Sequence, residues 1–285
     1  MYDEKKNETH NPQPRRSRVY EKLQENRPVY CFKTNIPHPM IPELIGSTGV
    51  DCLWMDTEHF PTSVETMALL IQAARGVDCD AVIRVPNGEY RMAARMLDSG
   101  ACGIMYPQVT DVADVERLVE LTRYAPMGKR GADTGPAAAG YGRIGLQDAM
   151  AWANEQVSLL VQIETPEAVQ SIDDIAAVPG ISILFIGPGD LSVTLEKPCD
   201  PDAPHIIEVM EQTARAAAAN GLHWGMPALS LDHAKHIMEM GGRFLAQGGD
   251  TTLLAKQIGL MRNDIAISLN RSAACSPAAV MRRGI

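Results

Sequence analysis

The chain has 285 residues, 45% of them hydrophobic and 21% charged, with a formal charge of −9. That length allows a large core and that composition is globular, while the acidic balance argues against nucleic acid and anionic membranes as main partners. No apolar run approaches the ~18 residues of a membrane helix, and the opening stretch MYDEKKNETHNPQPRRSR lacks an apolar signal-peptide core, so the expected compartment is the cytoplasm.

Residues 1–15 are polar with two prolines and read as a flexible arm. SRVYEKLQENRP, from Ser17, predicts a short helix. Eight strand-like runs follow in order: VYCFKT, CLWMDTE, DAVIRVP, CGIMYP, SLLVQIET, ISILFIGP, HWGMPAL and RFLAQGG. Amphipathic segments lie between most of them, such as SVETMALLIQAARG, EYRMAARMLDSG, DVADVERLVELTRYAP, TPEAVQSIDDIAAVPG and PHIIEVMEQTARAAAANG. They commonly end in Gly, a usual C-terminal stop. Eight such units predict an α/β fold, a single parallel (β/α)8 (TIM) barrel over residues 16–270, with a tail at 271–285. A doubly wound open sheet is the alternative that the same alternation allows. Residues 128–149 form the one long irregular stretch, and loops of that length are usually functional or mobile. Six cysteines (Cys31, Cys52, Cys79, Cys102, Cys199 and Cys275) form no CxxC and no zinc spacing, so they read as reduced thiols, mostly buried.

In barrels of this kind chemistry sits at the C-terminal strand ends. The second run ends in Asp56, Glu58 and His59; the third in Arg84; the fifth carries Gln162 and Glu164; the sixth ends at Asp190; the eighth leads to Asp250. Burying so many ionisable groups is costly unless they are paired, metal-bound or wet. Two carboxylates from neighbouring strand ends, Glu164 and Asp190, without nearby cysteine, suit a hard divalent cation such as Mg²⁺ or Mn²⁺. Helix capping is the plain alternative for both. Capping does not explain Gln162 and Glu164 two apart on one face of an apolar strand. His59 reads as a core histidine or as a proton carrier oriented by Asp56. Arg84 reads as a partner of Glu58 or as a holder of a carboxylate or enolate. Asp250 reads as a cap of the helix beginning DTTLLA.

Two motifs carry less. GYGRIG at 140–145 spells a dinucleotide fingerprint, but no strand precedes it. Lys33, at the end of the first run, could form a Schiff base with a keto acid, although a solvated rim lysine is the ordinary reading.

MDTEH, VIRVP, LLVQIET, FIGPGDLS and GGDTTLLA, in this order and spacing, resemble the HpcH/HpaI aldolase family over Val29 to Ser268. The resemblance implies a metal-dependent (class II) lyase. Such an enzyme reversibly cleaves 4-hydroxy-2-oxo acids to pyruvate, or a related 2-oxo acid, plus an aldehyde. Oxaloacetate decarboxylation, or synthesis from the same enolate, is the alternative it leaves open. It implies Glu164 and Asp190 as ligands of Mg²⁺, Mn²⁺ or Co²⁺, Arg84 at the enolate oxygen, and His59 with Asp56 as the proton-moving pair. Gln162 would lie near the keto acid, Gly189 and Asp190 at its carboxylate, and Asp98 in a neighbouring subunit's site. It also implies a homo-oligomer, commonly a hexamer, whose last helix packs on a neighbour's barrel. The chain departs from the family pattern at Gly189, where alanine is usual. It departs again in the loop after Arg130, which lacks the usual Arg-Ala-Ser-aromatic run, and at Lys33 and His38.

Overall fold

The computed structural model describes residues 14–268 other than 198, 199 and 201. All eight predicted runs are strands: β1 Val29–Thr34, β2 Cys52–Asp56, β3 Asp80–Arg84, β4 Gly103–Tyr106, β5 Ser158–Ile163, β6 Ile183–Ile186, β7 His223–Pro227 and β8 Phe244–Gly249. Each pairs in parallel with the next, and β1 pairs with β8 through Val29↔Phe244 and Cys31↔Ala246, which closes the barrel and rules out the open sheet. Most strands stop a residue or more short of the predicted runs, because Pro86, Pro107 and Pro188 turn the chain out of the ladder.

Five of the described helices begin on a side-chain cap. Ser17, Ser63, Asp111, Thr165 and Ser230 each accept a backbone N–H of the first turn. One predicted helix, TPEAVQSIDDIAAVPG, is two: Pro166–Gln170 and Ile172–Ala176, divided at Ser171. Within 128–149 lie a 3₁₀ turn at Ala137–Gly142 and a helix at Leu146–Gln156. GYGRIG therefore begins inside a 3₁₀ turn, with no strand before it, and is no dinucleotide site.

Alternate strand residues face inward. Cys31, Trp54, Val82, Met105, Leu160, Phe185, Phe244 and Ala246 belong to one inner cluster. Its aromatic rings meet edge to face, Trp54 on Phe185 at 5.6 Å and Phe185 on Phe244 at 5.8 Å. Such contacts add about 0.5–1.5 kcal/mol each beyond burial. Two residues further along β1, β2, β3 and β5, the inward positions are Lys33, Asp56, Arg84 and Gln162. The inner layer is thus the floor on which the polar mouth rests.

At the opposite end the helix Arg18–Gln24 plugs the barrel with Val19 and Leu23. Asp80 accepts from Ser17 Oγ at 2.7 Å, Val19 N at 2.9 Å and Arg15 at 2.6 Å. Asp51 accepts from Lys22 at 2.7 Å, Arg18 at 3.2 Å and Tyr30 N at 2.8 Å. Most of the expected N-terminal arm lies outside the described residues; its last member, Arg15, is anchored in this plug. The 271–285 tail lies outside them too, as do Cys199 and Cys275. Cys31, Cys52, Cys79 and Cys102 are buried free thiols, as expected, and burial pushes Cys79 up to about 12.

Candidate active site

The mouth holds two charge groups. The first gathers on Asp56, whose carboxylate is fully buried. Arg84 donates to it through Nε at 3.0 Å and through Nη2, Lys33 Nζ lies 2.9 Å from Oδ2, and the Glu58 N–H donates at 3.0 Å. Burial alone would raise this carboxyl, but Arg84 and Lys33 outweigh it and hold Asp56 at about 2. Arg84 also reaches Glu58, Nη1 to Oε2 at 3.0 Å. The pairing of Arg84 with Glu58 is thus present in the structure.

The second group centres on Glu164. Its carboxylate is buried, yet its hydrogen-bond donors are all neutral: Gln108 N–H at 2.8 Å, Gln108 Nε2 at 3.3 Å and Gln162 Nε2 at 2.7 Å. Burial, with the negative charges of Asp190 and Glu58, pushes Glu164 up to about 7 despite the Gln108 hydrogen bond and the charge of Arg84. Capping is excluded for it, since Thr165 caps the following helix. Glycine is required at 187, where a Cβ would stand 2.2 Å from Glu164 Oε2. Asp190 lies in the first turn of Pro188–Thr194 and makes no side-chain cap. That turn's N–H groups, Gly189 and Asp190 among them, have no intrahelical partner. At Gly189 a Cβ would meet nothing within 4 Å, so the space beside it is open.

These donors fit a hard divalent cation. Glu164 is a buried carboxylate with no cationic hydrogen-bond donor, Asp190 adds like charge to it, and the buried Gln162 Oε1 has no hydrogen-bond partner. Among the described residues no three His, Cys, Asp or Glu side chains converge as a closed metal cluster. Two protein ligands with open positions is the arrangement in which a substrate completes the coordination.

Three expectations are corrected. Asp56 does not orient His59; its acceptor oxygens are taken by Arg84, Lys33 and a backbone N–H, because the inward strand position points it at β1 and β3. His59 is neither core nor held by Asp56: its side chain is 59% exposed and its Nε2 lies 3.7 Å from Glu58 Oε2. Asp250 is more than a cap for its own helix. It accepts from Thr34 Oγ1 at 2.8 Å and from the N–H groups of Asn35 and Ile36, tying β8 to the turn after β1.

Asp98 ends its helix at the far side of the barrel from its own mouth, paired with Arg130 at 2.6 Å. It borders a cavity of about 440 Å³ that also meets Val64, Leu69 and Tyr141 but none of the mouth carboxylates. Sequence reasoning missed Gln108. Its signal was its place just past β4 in YPQ, and the structure gives it a φ of 53°, a left-handed conformation that aims its N–H at Glu164.

A sequence profile described as HpcH/HpaI aldolase/citrate lyase matches residues 31–257. A 2-keto-3-deoxy-L-rhamnonate aldolase of Klebsiella pneumoniae is 34% identical over 229 residues, 79% of this chain and 85% of that protein. A hydroxypyruvate/pyruvate aldolase of Deinococcus radiodurans is 32% identical over 234 residues, 82% and 84%. Among solved structures, the citrate synthase SbnG superposes with a TM-score of 0.80 at 28% identity, covering 88% of this chain and 98% of that one.

Proposed function

The chain belongs to the HpcH/HpaI aldolase/citrate lyase family and is a carbon–carbon lyase of the aldolase kind; from that premise we propose that it reversibly cleaves 4-hydroxy-2-oxo acids to pyruvate, or a related 2-oxo acid, and an aldehyde. The observation that carries this is the buried Glu164 carboxylate, which has only neutral hydrogen-bond donors and feels the charges of Asp190 and Arg84 at one barrel mouth. Glu164 and Asp190 hold Mg²⁺, Mn²⁺ or Co²⁺, which when bound supplies Lewis-acid polarisation of the substrate's oxygens. Gly189 and the Asp190 N–H receive the 2-oxo acid's carboxylate at the opening turn of their helix. Gln162 donates to Glu164 and lies near the keto acid, its own buried carbonyl oxygen having no protein partner.

Arg84 donates its remaining N–H groups to the oxygen where charge grows as the C3–C4 bond breaks. His59, exposed at the rim beside Glu58, accepts the C4-hydroxyl proton in cleavage and returns it in synthesis. Asp56 fixes Arg84. Asp98, remote from its own mouth, serves a neighbouring copy's site. Leu253, Leu254, Ile258, Leu260 and Met261 stand exposed on the helix Asp250–Ser268, as the last helix of a homo-oligomer, a hexamer in this reading, would require.

The likeness to a citrate synthase favours a second reading, oxaloacetate decarboxylation or condensation through the same enolate. Pyruvate release from a panel of 4-hydroxy-2-oxo acids and oxaloacetate, with chelated protein and after adding Mg²⁺ or Mn²⁺, separates the two. Metal-restored release from a hydroxy-oxo acid is the expected result. Release from oxaloacetate alone transfers the assignment to the second reading, and release that survives chelation overturns the metal.

A further inference from the structure

Lys33 is the mouth residue that the mechanism above leaves unused. It projects inward from the end of β1 with a side chain only 24% exposed. Its ammonium lies 4.5 Å from the Trp54 ring centroid and 5.8 Å from that of Phe60. Arg84 Cζ lies 5.0 Å from the same Trp54 ring, so one indole carries both cations and one carboxylate, Asp56, bridges them. The strand geometry at this point is specific. The β1–β8 register slips between Cys31↔Ala246 and Lys33↔Gly249, where Gly248 takes a φ of 78°. An extra residue of this kind re-aims the side chains opposite it.

Counting charge shows what Lys33 does. Arg84 stands between two carboxylates, Asp56 and Glu58. Those three groups alone carry a net −1, which repels an anionic substrate and compensates the guanidinium twice over. With Lys33 the group is neutral. We propose that Lys33 is a positioning residue of the lyase reaction: by sharing the Asp56 carboxylate it leaves the Arg84 guanidinium able to stabilise the enolate oxygen of the 2-oxo acid. This rests on the aldolase reading. It also sets aside the Schiff-base role, because an ammonium 2.9 Å from a buried carboxylate is not the free amine that carbonyl addition needs.

The test is calorimetric binding of oxalate, a planar dianion shaped like the pyruvate enolate, to the Mg²⁺-loaded full chain. Lys33→Gln keeps a hydrogen-bond donor near Asp56 and removes the charge. It should weaken oxalate about tenfold, below the ~10²–10³ of losing an enolate donor outright, since Lys33 acts through Arg84. The kcat for cleavage should fall in step while KM holds. Lys33→Arg should restore both to within about threefold by returning the charge. Lys33→Gln with Glu58→Gln, which removes the second carboxylate from Arg84, should bind oxalate more tightly than Lys33→Gln alone; a merely structural lysine gives no such recovery. Undiminished oxalate binding by Lys33→Gln, or no recovery in the double variant, overturns the proposal. A wild-type chain that binds Mg²⁺ but no oxalate overturns the enolate reading itself, and the role of Lys33 with it.

Discussion

The two ends of the barrel bury carboxylates in opposite ways. At the plugged end, Asp51 and Asp80 each face two cationic or hydroxyl donors and a backbone N–H, all from the chain's own first helix and its neighbours. At the mouth, Glu164 is as deeply buried but faces only amides, with Asp190 and Glu58 adding like charge. A satisfied buried carboxylate holds a fold together. One kept short of positive charge is, in the proposed reading, the place of the cation. Under the proposed function, the contrast separates structural from functional carboxylates where residue type alone does not.

That contrast can be broken by substitution. Glu164→Ala should lower lyase activity by about 10³ or more, through lost cation binding, and leave far-UV circular dichroism unchanged. A variant with wild-type activity would remove Glu164 from the site. Asp80→Ala should do the reverse. It takes the acceptor from the Ser17 hydroxyl and the Val19 N–H and leaves Arg15 only its pair with Asp78, costs about 1–3 kcal/mol in urea unfolding, and leaves the turnover of the folded fraction intact.

Acidity sharpens the same comparison. Glu164 at about 7 in the metal-free fold exceeds its ordinary 4.5, so between those values the folded chain holds a proton that the unfolded chain has lost. Its contribution is therefore fully present below about 4.5 and is lost as pH rises through 7. The loss amounts to roughly 3 kcal/mol. Metal-free wild type should melt at a lower temperature at pH 8 than at pH 6 by more than Glu164→Gln does, and divalent cation should narrow the gap. Equal pH dependence in the two proteins would mean that Glu164 is not starved of charge. Smallest of all, Gly189→Ala should change stability by less than about 0.5 kcal/mol, because its Cβ enters open space. If it nevertheless shifts the KM for the 2-oxo acid, that space belongs to the ligand.

The barrel was readable because periodicity is a backbone property: eight apolar runs with helical intervals leave few ways to bury both faces. Glu164 and Gln162 were readable for the same reason, since two polar residues on one face of a buried strand break the pattern. Pairings were not. Asp56 lies three residues before His59, yet a strand turns alternate residues to opposite faces and the chain bends after Asp56, so adjacency in sequence placed the wrong partner beside it. Lys33 looked like a rim residue because its partner, Asp56, comes from the next strand, and the register irregularity that aims it is invisible until β8 is paired. Gln108 acts largely through its backbone, which no residue type announces.

The seam between β1 and β8 has a consequence for how the chain is made. The strand completed first in synthesis must wait for the strand completed last, and Asp250, which clasps Thr34, Asn35 and Ile36, emerges about two hundred residues after them. Lys33, Asp56 and Arg84 can meet on a nascent three-stranded ribbon, whereas the wall beside Lys33 is missing until β8 has been made. Until then two unpaired strand edges stand open to other chains, so the late arrival of β8 is the step at which crowding or a chaperone decides between a barrel and an aggregate.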